Sequence, residues 1–527
     1  MRNPEAAFVL HQLTKHGSPI PDRSRLVDFQ PLDPSNRPAP FKRFPRLETR
    51  PLPVDIGGTG IAATDVLSGR AKSPPSQIDG TVLARLLFFS AGVTRTAVGG
   101  RSYFRAAMSA GNLHPVELYV TCGDLPGVDA GVHHFTPREF GLTALRSGDW
   151  RRALAVRAAE PAVATAPCTL VLTGIPWRTA WKYGERGYRH LYWDVGTLLA
   201  NLLAVAEAHG LPARVVLGFA DSEVARLVGV DAVEEFPLAL VVLGSAEEPA
   251  AARGPERIEP LDVEVAPLSP RPLTFPLITE AQEAGALRDR QAVVAWRAAA
   301  GRGGEPASPI DVPETAERFS IEEVILRRGS TRVMRRVAGP AELLRWGMAV
   351  ASRPLPGDFA PGEASVLEHC LSVHAVADVE PGTYRWQAGR LEPGRRGDFR
   401  EAAQQLCLNQ PLGGDSAYTT FHCSDLDSLL DTLGSRGYRV AQLEAGVVAG
   451  RLALAAFTLG YGATGLTFFD DEVSRFFANP AACMLVTSVG VPAYRSTPGG
   501  MPRAAAELAG FDRLMERLSR QLDRAGR

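Results

Sequence analysis

Between Lys182 and Arg189 the chain is polar and aromatic, with Tyr183, Glu185, Arg186 and Tyr188 in one cluster. From there to Gly210 it turns apolar on almost every side, and Asn201, Glu207 and His209 are its later polar positions. A pattern without a wet face predicts a helix buried all round, and Gly210 predicts its left-handed stop. The pattern then returns. RGYR at 186–189 recurs at 436–439, an offset of 250. Carried forward without gaps, that offset aligns Gly196 with Gly446, Gly210 with Gly460, Phe219 with Phe469 and Asp221 with Asp471. Registered matches over such a span predict two copies of one module. The copies differ where the stretch begins, since Lys182 and Tyr183 face Thr432 and Leu433.

Periodicity places the other elements around this helix. In the first copy, residues 83–92 predict a helix ending at Gly92, and residues 105–121 run from small residues and glycine into an alternating strand. Short strands are expected at 131–135, 142–145, 169–173 and 237–244, with a short helix at 219–227. The second copy predicts helices at 322–329 and 343–350 and strands at 371–377, 384–386 and 482–490. Pro38, Pro40 and Pro45 forbid a regular element nearby, so residues 1–55 are expected to lie as an arm over the surface. Residues 246–315 read as a connection with one helix at 279–299. Leu508, Phe511, Leu514, Leu518 and Leu522 predict a terminal amphipathic helix. The expected organisation is therefore an arm at 1–55, modules at 56–245 and 316–497, a connection between them and a terminal helix at 498–527.

Composition narrows the function. A chain of 527 residues exceeds one hydrophobic core, in keeping with the repeat. A net charge of −1 supplies no general field for nucleic acid or membrane, and neither is an expected partner. Cys122, Cys168, Cys370, Cys407, Cys423 and Cys483 stand singly with no C-x-x-C spacing, which removes the usual zinc and thioredoxin patterns. No metal site is expected, and the adjacent His422 and Cys423 read as structural. Polar residues interrupt the N-terminus where a signal peptide would need an apolar run, and no uninterrupted apolar segment reaches spanning length. The expected location is cytoplasmic.

Three stretches carry candidate chemistry. In RGSTR, extended chain would point Arg328, Ser330 and Arg332 at one target, and guanidinium forks with a hydroxyl suit a phosphate; from the pattern alone a solvated basic loop is the better reading. In SAGNLHP, Ser109, Ala110, Gly111 and Asn112 offer backbone donors and an amide before a strand, as a polar ligand edge requires, or simply form a loop. Lys182 and Tyr183 at a helix entrance fit either an acid–base pair or a snorkelling cation beside a half-buried ring.

Taken together, SAGNLHPVELYV, GVHHFTP, AWKYGERGYR, the apolar helix with its DVG entry, GFAD and RGSTRVM resemble the nitroreductase superfamily. Within it they resemble the SagB/ThcOx group of azoline dehydrogenases from peptide natural-product pathways. The resemblance implies an α+β fold, here two tandem domains, each a central, mainly antiparallel sheet flanked by helices. It also implies FMN, held at a subunit interface by phosphate arginines of one subunit and the S-A-G loop of the other. The first copy has SGRAKSPPS where the arginine motif belongs, and the second has GDFAPGEAS where the loop belongs. The losses are complementary, so one FMN site is expected in a fused pseudo-dimer that need not pair with a second chain. Arg328, Ser330 and Arg332 would hold the phosphate, and Ser109, Ala110, Gly111 and Asn112 the ring or ribityl chain. The implied reaction oxidises thiazoline or oxazoline in a peptide substrate to thiazole or oxazole, with a cyclodehydratase as the implied partner. Tyr183 is the candidate for proton transfer and Lys182 for lowering its pKa, or the reverse. An NAD(P)H-dependent nitro or quinone reductase and a flavin-binding scaffold subunit are the alternatives.

Overall fold

The computed structural model describes residues 5–245, 257–301, 308–313, 319–359 and 365–510. The apolar runs of the first half become strands buried along their whole length, Val116–Cys122, Cys168–Gly174 and Phe236–Leu243. Burial on both faces explains why they read as continuous hydrophobic runs and not as alternation. They lie in a seven-stranded sheet ordered Thr49–Pro51, Gly141–Ser147, Gly131–Thr136, Val116–Cys122, Cys168–Gly174, Phe236–Leu243, Ala213–Val216. The second sheet runs Arg390–Arg396, Gly382–Gln387, Glu368–Val373, Tyr418–Ser424, Ala482–Pro492, Gly462–Leu466, with Met334–Arg335 also paired to Ala482–Pro492. Without Thr49–Pro51 and Met334–Arg335 the two orders are the same, and every pairing in both sheets is antiparallel. The fold is α+β, two tandem domains each built on an antiparallel sheet flanked by helices.

The repeated stretch forms the helices Gly187–Ala208 and Ser435–Thr458, which pack directly on each other. Both matched glycines sit at the contact: a Cβ on Gly196 would come within 2.5 Å of the Val447 nitrogen, and one on Gly446 within 2.9 Å of the Trp193 Cα. Only glycine lets the two backbones approach so closely. Ser435–Thr458 is long and apolar enough by length and composition to cross a membrane, yet 89% of its most apolar window is buried inside this fold.

The RGYR arginines reach across that contact. Arg186 and Arg189 hold Asp470 at 3.0 and 2.6 Å, and Arg436 and Arg439 hold Asp221 at 2.7 and 2.9 Å. Each half thus supplies the carboxylate for the other half's arginines. This corrects the gapless alignment after Gly460. The partner of Asp221 is Asp470, not Asp471, which instead bonds Lys15 at 2.7 Å. Phe468, not Phe469, matches Phe219, since Arg186 covers Phe468 as Arg436 covers Phe219. A one-residue deletion before the short helix Asp470–Phe477 keeps its first residue under the arginines.

Three flanking expectations change. The arm contains a helix, Glu5–Leu13, with Ala7, Leu10, His11 and Leu13 buried, which packs on Pro276–Ala284 and on Ser435–Thr458, where the His11 ring meets Tyr438 edge-on at 5.8 Å. The single connection helix is two, Pro276–Ala284 and Arg290–Ala300, broken after Gly285. The break is tertiary: Arg436 donates to the Gly285 carbonyl at 2.8 Å, and the Leu287 N–H donates to Asp221 at 2.9 Å. Of the expected terminal helix, residues 511–527 lie outside the described residues, and before them Ala506–Glu507 pairs in parallel with Val93–Ala97 of the first half.

Candidate active site

The hairpin Val93–Ala97 and Ser102–Arg105 leads into the S-A-G loop. Asp194, buried in the central helix, organises the loop: it accepts from Ser109 Oγ at 2.5 Å and from the Ala110 N–H at 2.9 Å. Burial pushes the Asp194 carboxyl up to about 7 against the pull of these two donors. Thr197, one turn on, donates to the Met108 carbonyl at 2.7 Å. The Asn112 amide, expected to be free for a ligand, donates to the Tyr103 carbonyl at 2.9 Å and accepts at 2.8 Å from His114, so it shapes the loop. Gly111 has φ +63°, and a Cβ there would lie 2.8 Å from the Tyr183 hydroxyl and 3.3 Å from Lys182 Cδ. The loop and the Lys-Tyr pair therefore meet at a position only glycine fills.

Lys182 and Tyr183 end the helix Pro176–Tyr183, which starts on a proline and stops at Gly184 with φ +55°. The arm clamps this helix. The Leu32 N–H donates to the Trp181 carbonyl at 3.1 Å, Trp181 Nε1 donates to the Asp33 carbonyl at 2.9 Å, and the Val27 N–H donates to Glu185 at 2.6 Å. The Lys182 ammonium sits 5.1 Å from the Tyr183 ring centroid. Burial and then the Asp194 charge push the Tyr183 phenol well above its ordinary range, so the expected lowering by Lys182 does not occur. Burial and then Arg332 lower Lys182 instead.

Arg332 belongs to the second half, and its field brings the third motif to the same place. The helix Ile321–Arg327 opens on a capping box of Ser320 and Glu323 and releases the chain at Arg328. Ser330 then bridges Ala463, and the Arg332 N–H donates to the Tyr494 hydroxyl at 3.0 Å. The expected alternation fails, because Arg328 is buried and Arg332 exposed. Arg328 donates to the Ala106 carbonyl at 2.6 Å, just before the S-A-G loop, and its Nε has no partner among the described residues. Beside it Arg95, buried too, donates to the Leu326 and Arg328 carbonyls at 2.5 and 3.1 Å. Neither guanidinium has a carboxylate among the described residues. Burial, with Arg95 adding to it, lowers Arg328 to about 9, and burial lowers Arg95 to about 10. Buried cations with no carboxylate among the described residues have chemistry that suits a phosphate.

The matching place on the other side of the repeat keeps the scaffold without the chemistry. Arg353 donates to the Val66 and Leu67 carbonyls, as Arg95 does to the end of Ile321–Arg327. Glu444, matching Asp194, accepts from the Val366 N–H at 3.1 Å. At the position of Tyr183 stands a buried Leu433.

The nitroreductase family model matches residues 90–245, which contain the S-A-G loop and the Lys-Tyr pair. A nitroreductase-family protein of Methanocaldococcus jannaschii is 30% identical over 163 residues, covering 31% of this chain and 78% of that protein. The chain belongs to the nitroreductase family. This family is one of flavin oxidoreductases. The trifolitoxin-processing protein TfxB of Rhizobium leguminosarum bv. trifolii is 26% identical over 195 residues, or 34% of this chain and 51% of that protein. A solved nitroreductase-family structure from Anabaena variabilis, 24% identical with a TM-score of 0.67, covers 92% of this chain and 99% of its own, so the fold extends over both halves. The family model ends before the second half, where the arginines lie. Asp194, His190 and Arg95 were not singled out from the sequence. An acid inside an apolar helix was a signal for Asp194; nothing local marks the other two.

Proposed function

We propose that this nitroreductase-family chain is an FMN-dependent dehydrogenase that oxidises thiazoline or oxazoline rings in a peptide to thiazole or oxazole. The observation that carries the reading is the meeting of Lys182 and Tyr183 with Gly111, within the field of Arg332 from the other half, whose Arg328 keeps a buried Nε without a partner among the described residues. The name of TfxB points to peptide processing in a relative and supports a peptide substrate here. A cyclodehydratase is the partner class that would supply such rings.

The residues present fit FMN: Arg328, Arg95 and Arg332 supply cationic donors, and the S-A-G loop at Gly111 lies against the Lys-Tyr pair. Bound FMN would supply the acceptor for the hydride equivalent that leaves the ring. The chain's own part is proton handling. Lys182, whose ammonium is disfavoured by burial and then by Arg332, is the group that takes the Cα proton, while the Tyr183 phenol, pushed up by burial, donates a hydrogen bond. Asp194 keeps the loop in place through Ser109 and Ala110.

Lys182→Ala and Tyr183→Phe are expected to retain flavin and to lose azole formation by a factor of about 100 to 10,000. The assay follows the loss of one dihydrogen from an azoline peptide by mass spectrometry, with flavin absorbance in parallel. Wild-type rates in both variants with flavin bound would refute the assignment, and rapid bleaching of wild-type flavin by NADPH would favour a reductase.

A further inference from the structure

The duplication acts as an internal control for the site. Positions that serve the architecture are kept in both halves: Arg186 and Arg436, Tyr188 and Tyr438, Gly196 and Gly446, and the acids Asp194 and Glu444 that hold equivalent loops. Positions that serve the proposed chemistry differ: Lys182 and Tyr183 become Thr432 and Leu433. His190 falls in the second class, because its match is Val440.

His190 lies two turns after Tyr183 and stacks on it, with ring centroids 4.0 Å apart and planes 10° from parallel. Trp193 closes its other side at 4.4 Å. The imidazole is 4% exposed, and neither ring nitrogen has a hydrogen-bond partner among the described residues. A buried ring with both polar atoms unused costs free energy, so packing alone is a poor reason for histidine over an apolar residue. At the matching positions the second half has the buried aliphatic residues Leu433 and Val440. Burial, with the charges of Arg186, Arg189, Lys182 and His16 adding to it, holds the imidazole well below its ordinary value.

Resting on the reading above, we infer that His190 is a positioning residue for Tyr183, its flat neutral face holding the phenol ring so that the hydroxyl stays against Gly111. A flat partner restrains ring tilt, which an aliphatic side chain does not.

The experiment compares His190→Ala and His190→Phe in the flavin-loaded protein by two readouts. The first is the NMR resonance of isotope-labelled Tyr183, assigned by its disappearance in Tyr183→Phe. It is expected to shift and broaden in His190→Ala and to remain single and sharp in His190→Phe. The second is azole formation: kcat is expected to fall roughly 10-fold or more in His190→Ala with KM and flavin content unchanged, to recover in His190→Phe, and to show no further loss when His190→Ala is added to Tyr183→Phe. An unmoved Tyr183 resonance in His190→Ala overturns the inference, as does equal loss in both variants, or failure of both to fold, which would make the ring ordinary core. If the wild type forms no azole, the functional reading fails while the resonance still decides the role of His190.

Discussion

Arg328 is a guanidinium buried beside Arg95 with no carboxylate partner among the described residues, which suits the proposed phosphate. Removing Arg328 or Arg332 deletes one charged donor to a phosphate, so FMN affinity is expected to weaken by about 1.5 to 3 kcal/mol per residue while the fold persists. Flavin fluorescence titration measures it, and unchanged retention in both variants would falsify the clamp. Asp194 gives a pH signature of defined sign. Its folded carboxyl lies near 7, above the ordinary value, so its contribution to stability is full below about pH 4 and is lost as pH rises to about 7. Asp194→Asn removes that loss. Its stability relative to wild type is expected to improve between pH 4 and 7, by about 2 to 4 kcal/mol, and to level off above. A difference flat across this window in denaturant titrations would remove the carboxyl from the argument.

At the scale of elements, the two central helices are joined by glycine contact and by crossed ion pairs. Asp470 is held well below the carboxylate range because Arg189 and Arg186 outweigh its burial. Asp470→Ala leaves two buried arginines unpaired, and Asp221→Ala does the same to Arg436 and Arg439. Each is expected to cost about 3 to 5 kcal/mol. Because each aspartate serves the opposite half, one cooperative thermal transition is expected to move down in both variants. Calorimetry that shows one half melting early and the other unchanged would contradict this coupling.

At the scale of the molecule, the proposed site draws on both halves. The S-A-G loop and the pair come from the first domain, Arg328 and Arg332 from the second, and the matching place has Leu433. The purified chain is therefore expected to carry a single FMN, measured as flavin absorbance against protein concentration. Two per chain would mean that the second place is functional.

Much of this was legible locally. The buried helices, the strands and the repeat follow from hydrophobic period and from RGYR, because side-chain pattern alone decides which face a helix or strand can bury. The residues of the proposed site stand in short motifs, Arg328 in RGSTR, Gly111 in SAGNLHP and Lys182 with Tyr183 at a helix end. What the sequence could not decide is who meets whom. Asp470 replaces Asp471 because a deletion is invisible until the helix end is set under Arg186 and Arg189. The connection breaks after Gly285 because Arg436 and Asp221 capture its backbone. Arg95, Asp194 and His190 come to the loop only when Val93–Ala97 and the central helix are packed around it, and the Tyr183 phenol is pushed up because burial and then the Asp194 charge outweigh Arg332. Local pattern selects elements at short range, whereas charge pairing, desolvation and ring stacking depend on distances that exist only in the folded chain.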